Sequence, residues 1–360
     1  MGFLAKAPRA VDMVQGNDLP DFAQKMVDML NKAGAAMMVS VGHRTGLFDA
    51  MHGGAWKSSA GWAREAGLSE RYVREWLGAM TTAGIVEIDR IAETYRLPPE
   101  HARFLGGNAD AVNLAAMMQW IGVLAPVETE IVECFRNGGG VPAAAFGRFR
   151  EVKAAETELS LDLDATIALS AGLRERLIEG IDVLDVGCGG GRLVRELARL
   201  YPNSSFTGYD RSPRQIAEAR VQAEGLDNVR YAELDGTAMT DHRAFDLILT
   251  FDAVHGQRHP DALLARIRNA LRPRGVYIMQ DIHAHSSHAG NVNHPLAPFI
   301  YTMSCMHCMT VSLSQNGAGL GSAWGVELAQ LLLAEAGFDS VAMHRLPHDL
   351  RNAYFVCRAN

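Results

Sequence analysis

"VLDVGCGGGRL", residues Val183–Leu193, decides how the chain is read. An apolar run ends in an acid, Asp185, and glycine fills four of the five positions after Val186. Chains are built this way where a strand turns sharply into a helix with a ligand against the turn. Glycine supplies positive φ and lets the backbone approach that ligand closely. The helix that follows offers unbonded N–H groups and the positive end of its dipole. A dinucleotide, a phosphate or another adenosine-bearing molecule could lie there.

The spacing separates these classes. No Lys-Ser/Thr follows, which excludes a P-loop. A dinucleotide turn wants G-x-G-x-x-G, its last glycine packing helix on strand. Here the glycines fall at Gly187, Gly189 and Gly191, and Arg192 stands where that last glycine belongs. Asp185 at the turn repels a pyrophosphate and suits a cation. S-adenosylmethionine, with its ammonium and sulfonium, is such a ligand.

Working outward, "SSFTGYD" is the next strand, and its Asp210 is placed to accept hydrogen bonds from both ribose hydroxyls. "VRYAEL" follows, and Asp235 just beyond it, with Gly236 beside it, can meet the adenine amino group. "FDLILTFD" and "GVYIMQDI" continue the series, with helical patterns between strands, the alternation of a doubly wound parallel sheet. "SVAMHRLP" and "AYFVCR" have only "HDLRN" between them, so they pair as a hairpin and the final strand runs antiparallel.

With this the chain resembles the class I S-adenosylmethionine-dependent methyltransferases over about residues 165–360. The resemblance implies a seven-stranded α/β sheet with an antiparallel last strand and S-adenosyl-L-methionine as cofactor. It places Asp185, Gly187, Gly189 and Gly191 on the methionine side, Asp210 at the ribose, and Asp235 with Gly236 at the adenine. "FDLILTFDAVHGQRHPDALLARIRNALRPRG" is similar to small-molecule O-methyltransferases that carry an N-terminal winged-helix dimerisation domain. His255 falls on their catalytic histidine, although Gly256 replaces the acid that often follows it. Phe251 and Asp252 read as lining of the adenosyl pocket. "MHCMTVSL" and "GLGSAWG" resemble bacterial winged-helix methyltransferases of unknown substrate.

The N-terminal third is organised differently. Residues 1–20 are mixed and read as poorly ordered. From Asp21 to about Ala50, Phe22, Met26, Leu30, Ala33, Met37, Val41 and Phe48 recur at helical spacing. Ser58 or Ser59 caps a short helix to Gly67, Ser69 a second to about Ala83, and "IVEID" and "TYRLP" form a hairpin. Two short helices and a hairpin make a winged helix-turn-helix. Groove binding needs a basic footprint, yet residues 1–110 hold twelve Lys/Arg against thirteen Asp/Glu. Homodimerisation is the better reading, and nucleic acid is not expected. The rival is a ligand-sensing transcriptional regulator that retains S-adenosylmethionine binding.

The expected domains are a winged-helix dimerisation domain over 1–105, a helical linker covering the acceptor pocket over 106–164, and the methyltransferase domain over 165–360. Asn113, Met117, Gln119 and Trp120 are the expected pocket cover, and a second helical stretch spans roughly Leu161–Ile178.

The 360 residues, net charge −7 and five cysteines point to a cytoplasmic enzyme acting on a small-molecule methyl acceptor, a hydroxyl or a thiol. No run reaches the about 18 uncharged apolar residues of a membrane span. His283, His285, His288, His294, Cys305, His307 and Cys308 raise the thought of a metal. The single C-x-x-C has no second pair at finger spacing, so no metal site is expected and Cys305 and Cys308 read as a packing stripe. Glycines at 317, 319, 321 and 325 suggest a bent loop, a candidate lid.

Overall fold

The computed structural model describes residues 20–106, 113–160 and 162–358. Residues 1–19, including the opening stretch expected to be poorly ordered, lie outside them. The chain divides into two compact units, Met1–Gly122 and Val123–Asn360.

In the first unit the apolar periodicity gives the helix Asp21–Arg44, which stops at Thr45. Gly46 takes φ +71° and restarts the chain as Leu47–Ala50, so the single helix expected here is two. Ser58 caps Ser59–Ala66 by accepting from the Gly61 amide at 3.2 Å. Ser69 stands at the N-cap of Glu70–Thr82, but its hydroxyl makes no capping bond, and Ser59 reaches Glu70 at 2.6 Å instead. Strands β1 (Glu87–Asp89) and β2 (Thr94–Arg96) pair antiparallel as the wing. Phe48, Trp62, Trp76, Leu77 and Met80 form the buried centre. Both indoles satisfy their N–H groups on backbone carbonyls, Trp62 on Tyr95 at 2.9 Å and Trp76 on Met38 at 2.8 Å.

The second unit is built on seven strands: β3 (Asp182–Val186), β4 (Ser205–Asp210), β5 (Val229–Glu233), β6 (Phe245–Phe251), β7 (Leu271–Ile282), β8 (Ser340–His344) and β9 (Asn352–Arg358). Their order in the sheet is β5-β4-β3-β6-β7-β9-β8, and β9 alone is antiparallel to both neighbours. The chain leaves β3 toward β4 and β5, then returns to the other side of β3 with β6. That reversal opens a crevice at the carboxyl ends of β3 and β6, where such sheets bind ligands.

Alternation along each strand splits the core into two layers. Val183, Phe206, Leu247, Leu249 and Ile278 face Leu177, Leu197 and Ile216 on one side. Leu184, Val186, Ile248, Met279 and Phe355 face Leu263, Ile267 and Leu333 on the other. Every strand residue so spent on the core leaves the loops at the strand tips to carry chemistry. The helix expected over Leu161–Ile178 is broken into Leu163–Ala168 and Leu173–Glu179, with Gly172 between them. No helix of the described residues is long and apolar enough to cross a membrane.

Gly42 shows how tightly the first unit is packed. A Cβ there would stand 2.6 Å from Trp76 and 2.9 Å from Phe48. Alanine is the better helix former by about 1 kcal/mol, but overpacking costs about 1–3 kcal/mol. Gly42→Ala is therefore expected to lower stability by up to ~2 kcal/mol in urea unfolding. A stabilised variant would show that the packing does not govern this position.

Candidate functional site

The glycine turn is pinned from beneath and open above. The Gly187 and Cys188 amides both donate to the Tyr209 carbonyl, at 2.8 and 3.0 Å. The Tyr231 hydroxyl donates to the Gly191 carbonyl at 2.9 Å, and the helix Arg192–Leu200 starts there. Gly187, Gly189 and Gly191 all have positive φ. A Cβ on Gly191 would strike the Tyr231 ring at 2.5 Å, whereas above Gly189 there is open space. The middle of the loop is thus free for a ligand and its end is packed.

Two acids border this opening. Asp185, on central β3, is only 4 % exposed. Burial and the neighbouring Asp210 carboxylate both disfavour its charge and push its pKa up to about 7. Asp210 ends β4, where its Oδ2 accepts from the Gly189 amide at 3.0 Å and its Oδ1 from the Ser212 amide at 2.8 Å. Each oxygen keeps a second lone pair for a ligand hydroxyl. Asp235 is exposed beyond β5 and caps the short turn Gly236–Ala238 through Thr237, at 2.9 Å. Gly236 is needed for packing, since a Cβ would meet Leu263 at 2.6 Å.

Past β6 lies a second centre. His255 is buried, and its Nδ1 lies 2.7 Å from Asp281 Oδ1 at the end of β7. The same oxygen accepts from the Trp324 indole at 3.1 Å and the Ile282 amide at 2.8 Å. Burial opposes charge on His255, but Asp281 and Cys308 outweigh it and raise its pKa well above the ordinary value. Cys308 ends a π-helical turn, Ser304–Cys308, between the helices Ala297–Met303 and Met309–Ser314. Such turns cluster at functional sites because the extra residue re-aims side chains. Cys308 follows His307 in this turn, and the His307 ring stacks on Phe149 at 3.6 Å.

Asp252 begins the turn that delivers His255, at φ +49°. It sits in a buried four-charge network. Arg351 bonds Asp252 at 3.0 Å and Glu156 at 3.1 Å, and Lys153 bonds Asp252 and, at 3.2 Å, Glu156. Lys153 and Arg351 hold the Asp252 carboxyl far below the usual carboxylate range in spite of burial. Asp252, His255 and Asp281 also offer ligand atoms within 4.8 Å of one another. Lys153 and Arg351 meet only Oδ2 of Asp252, and its Oδ1 is buried without a hydrogen-bond partner.

The structure thus gathers Asp185, Gly187, Gly189, Gly191 and Asp210 around one opening, and sets Phe251, Asp252 and His255 at the tip of β6. Asp281, Trp324, Lys153, Glu156 and Arg351 were not singled out from the sequence. Only Asp281 carries a local signal, an acid ending the apolar run "VYIMQD", where burial demands a partner. The histidine-rich segment goes separate ways: His285 bonds Glu327 at 2.7 Å and His283 faces His294 at 5.7 Å. Cys305 and Cys308 lie in the π turn, so the helical stripe expected of them does not form. The glycine loop is seated closely: a Cβ on Gly321 would lie 2.0 Å from Ser304, and one on Gly325 2.1 Å from Ser286. Asn113 is spent on capping Leu114–Met117, accepting from the Ala116 amide at 3.0 Å.

Comparison with known proteins agrees with this architecture. Residues 33–106 match the Rv2258c-like winged HTH domain, and residues 177–348 match a methyltransferase domain. Over 103 residues the chain is 37 % identical to the ubiquinone biosynthesis O-methyltransferase of Cereibacter sphaeroides, covering 28 % of this chain and 40 % of that protein. The match thus spans about two fifths of the length of that curated relative. In fold it is similar to human N-acetylserotonin methyltransferase, solved with S-adenosylmethionine (TM-score 0.67, 16 % identity, 95 % of this chain and 99 % of that one). An O-methyltransferase family protein of Burkholderia thailandensis is also similar (TM-score 0.65, 15 % identity, 95 % and 99 %). The chain carries an N-terminal winged helix and a class I methyltransferase domain.

The raised pKa of Asp185 has a cost that can be measured. Its carboxyl titrates near 4 when unfolded and at about 7 when folded. Ionised, it therefore destabilises the ligand-free fold, by an amount absent below pH 4 and complete above pH 7. Asp185→Asn should stabilise the protein at pH 8 by up to about 4 kcal/mol and leave it nearly unchanged at pH 4. Equal effects at both pH values in denaturant unfolding would show that Asp185 is not held this way.

Proposed function

We propose that the chain transfers a methyl group from S-adenosylmethionine to a small-molecule acceptor, at a hydroxyl, as a cytoplasmic homodimer. The observation that carries this reading is the pair of carboxylates, Asp185 buried and Asp210 bonded to the loop, around an opening above Gly189. A buried acid that nothing cationic neutralises is a site prepared for a cation. In this reading the methionine ammonium lies on the Asp185 side and the ribose hydroxyls bond Asp210. Asp235 and Gly236 take the adenine edge, and Phe251 and Asp252 line the adenosyl side. The relative's name, O-methyltransferase, supports oxygen as the acceptor atom.

The bound cofactor supplies an electrophilic methyl on a positively charged sulfur. The chain's own part is to orient an acceptor toward it, exclude water and receive a proton. Asp281 fixes the imidazole of His255 through Nδ1, which leaves Nε2 as the edge for proton traffic.

The winged helix supports an interface between copies. Arg74 pairs with Glu70 at 2.6 Å and Arg71 with Glu75 on the would-be recognition helix, so its cations are neutralised. On the helix Asp21–Arg44, Phe22 and Leu30 are each 73 % exposed, with Met26, Met29, Met37 and Val41 also exposed. An apolar surface of this kind is the mark of an interface. A regulator that binds DNA through this domain would lack the basic footprint its contacts need. The five thiols, all unpaired, suit a reducing compartment.

Isothermal calorimetry tests the cofactor. S-adenosylhomocysteine should bind saturably, and Asp210→Ala should weaken it tenfold or more, since a hydrogen bond to a charged group is worth about 1.5–3 kcal/mol. Absence of binding to the wild-type chain would end this reading. Phenols, hydroxy acids and thiols, screened for S-adenosylhomocysteine release, should yield an acceptor, and His255→Ala should then cut turnover ~10²-fold. Unchanged turnover would remove His255 from the chemistry. For the interface, Phe22→Glu with Leu30→Glu should convert a dimer to a monomer in light scattering; an unaltered mass would place the interface elsewhere.

A further inference from the structure

We propose that Trp324 is a positioning residue for His255, and that the glycine loop carrying it, residues 317–325, completes the site by setting its indole N–H onto Asp281. The geometry starts at one oxygen. Oδ1 of Asp281, fully buried at the end of β7, receives the Trp324 indole N–H at 3.1 Å and the Ile282 amide at 2.8 Å. Both groups can only donate, so this oxygen is an acceptor. Nδ1 of His255 lies 2.7 Å from the same oxygen and must therefore carry the hydrogen between them. That proton fixes the tautomer of the neutral ring and leaves the lone pair on Nε2. Oδ2 of Asp281 takes only a long bond among the described residues, from the His255 amide at 3.4 Å. The indole is thus the side chain, besides the imidazole itself, that orients this carboxylate.

Trp324 arrives on "GLGSAWG", residues 319–325, a stretch to which methyl transfer by itself assigns no task. Its glycines have a common purpose. Gly319, Gly321 and Gly325 all take positive φ, and the last two lie where a Cβ would strike Ser304 at 2.0 Å and Ser286 at 2.1 Å. The Trp324 amide donates to the Gly321 carbonyl at 3.2 Å, which closes the turn that presents the indole. Beyond Asp281 the loop is held by the Val326 amide on the Ala284 carbonyl at 2.8 Å and by the Ser322 hydroxyl on Ile300 at 3.0 Å. Toward His255 it is held by the Ala318 amide on the Arg258 carbonyl at 3.0 Å. The Gly319 amide also bonds the Ser312 hydroxyl at 3.1 Å, which donates in turn to the Gln257 carbonyl at 3.1 Å. The loop therefore grips the turn after His255 and the chain after Asp281 together. Its one buried polar group aimed at either is the Trp324 N–H. A loop held off its seat withdraws that group from Asp281.

What the arrangement accomplishes rests on the methyl-transfer reading, in which Nε2 receives the proton of the acceptor hydroxyl. A ring free to exchange tautomers would turn an N–H toward that hydroxyl for part of the time and could not take its proton. The hydrogen-bond chain from Trp324 through Asp281 to His255 exists without any ligand, so it can be tested apart from that reading.

The test is nitrogen-15 NMR of the full chain labelled at histidine and tryptophan, without ligand, at a pH where the His255 ring is neutral. His255→Gln and Trp324→Phe identify the two signals. In the wild-type chain the proton should reside on Nδ1, with Nε2 bare, and both the Nδ1 proton and the Trp324 indole proton should exchange slowly with solvent. Trp324→Phe keeps an aromatic ring and removes the N–H. It should speed exchange at Nδ1 by about tenfold or more, the worth of one hydrogen bond to a charged group, and let the Nε2–H tautomer appear. Its affinity for S-adenosylhomocysteine in calorimetry should match that of the wild-type chain. With an acceptor in hand, the same variant should lower kcat about tenfold or more at unchanged KM. A proton on Nε2 of the neutral wild-type ring overturns the proposal, and so does an Nδ1 exchange rate that Trp324→Phe leaves unaltered. If the variant fails to fold, the wild-type spectrum decides, since a rapidly exchanging Trp324 indole proton also overturns it. A chain that holds the Nδ1 proton as described but binds no S-adenosylhomocysteine supports the positioning role while the methyl-transfer reading falls.

Discussion

The structure turns on one buried carboxylate, Asp185, set beside a second at the tip of the neighbouring strand. Asp185 lies opposite Gly208 in the β3–β4 ladder, two residues before Asp210. Burial and this neighbour together make ionisation of Asp185 costly. A chain selected for stability alone would place an apolar residue there, as it does at Val183, Leu184 and Val186. The acid stands at the point where sheet order reverses and the backbone is bare, where its unfavourable charge would become an attraction if a cation were bound.

The opposite arrangement governs the far side of the crevice. Asp252 pairs through Oδ2 with Lys153 and Arg351, with Glu156 balancing their charge, while its Oδ1 is buried without a hydrogen-bond partner. The helix Phe149–Ser160, which precedes the sheet in sequence, is thereby tied to the turn after β6 through Lys153 and to the start of β9 through Glu156. A buried network of this kind contributes fixed geometry more than net stability. What it fixes is the left-handed residue from which the chain turns to His255, and hence the approach of that imidazole to Asp281.

Much of this was legible in the sequence, for local reasons. The nearly continuous apolar runs in "DVLDV", "FDLILTF" and "AYFVC" mark strands buried on both faces, and the short "HDLRN" link forces the final hairpin. Asp185, the glycines and Asp210 lie close to strand ends and are found by spacing alone. The network around Asp252 was not legible, since Lys153 and Arg351 lie 99 residues away from it on either side. No periodicity links such positions; only the closed sheet brings them together. The π turn was hidden for a different reason. "SCMHC" has the composition of an ordinary helix, and one extra residue per turn rotates Cys308 off the stripe that α-helical spacing assigns to it.

The central claim, that Asp185 and Asp210 hold the two ends of an adenosyl cation around Gly189, is tested most directly by a crystal structure with S-adenosylhomocysteine bound. The account places the ligand's ammonium group within hydrogen-bonding reach of Asp185, its ribose hydroxyls on Asp210 and its backbone-facing edge over Gly189. Density for the nucleoside anywhere else, with both carboxylates left unpaired, would contradict it.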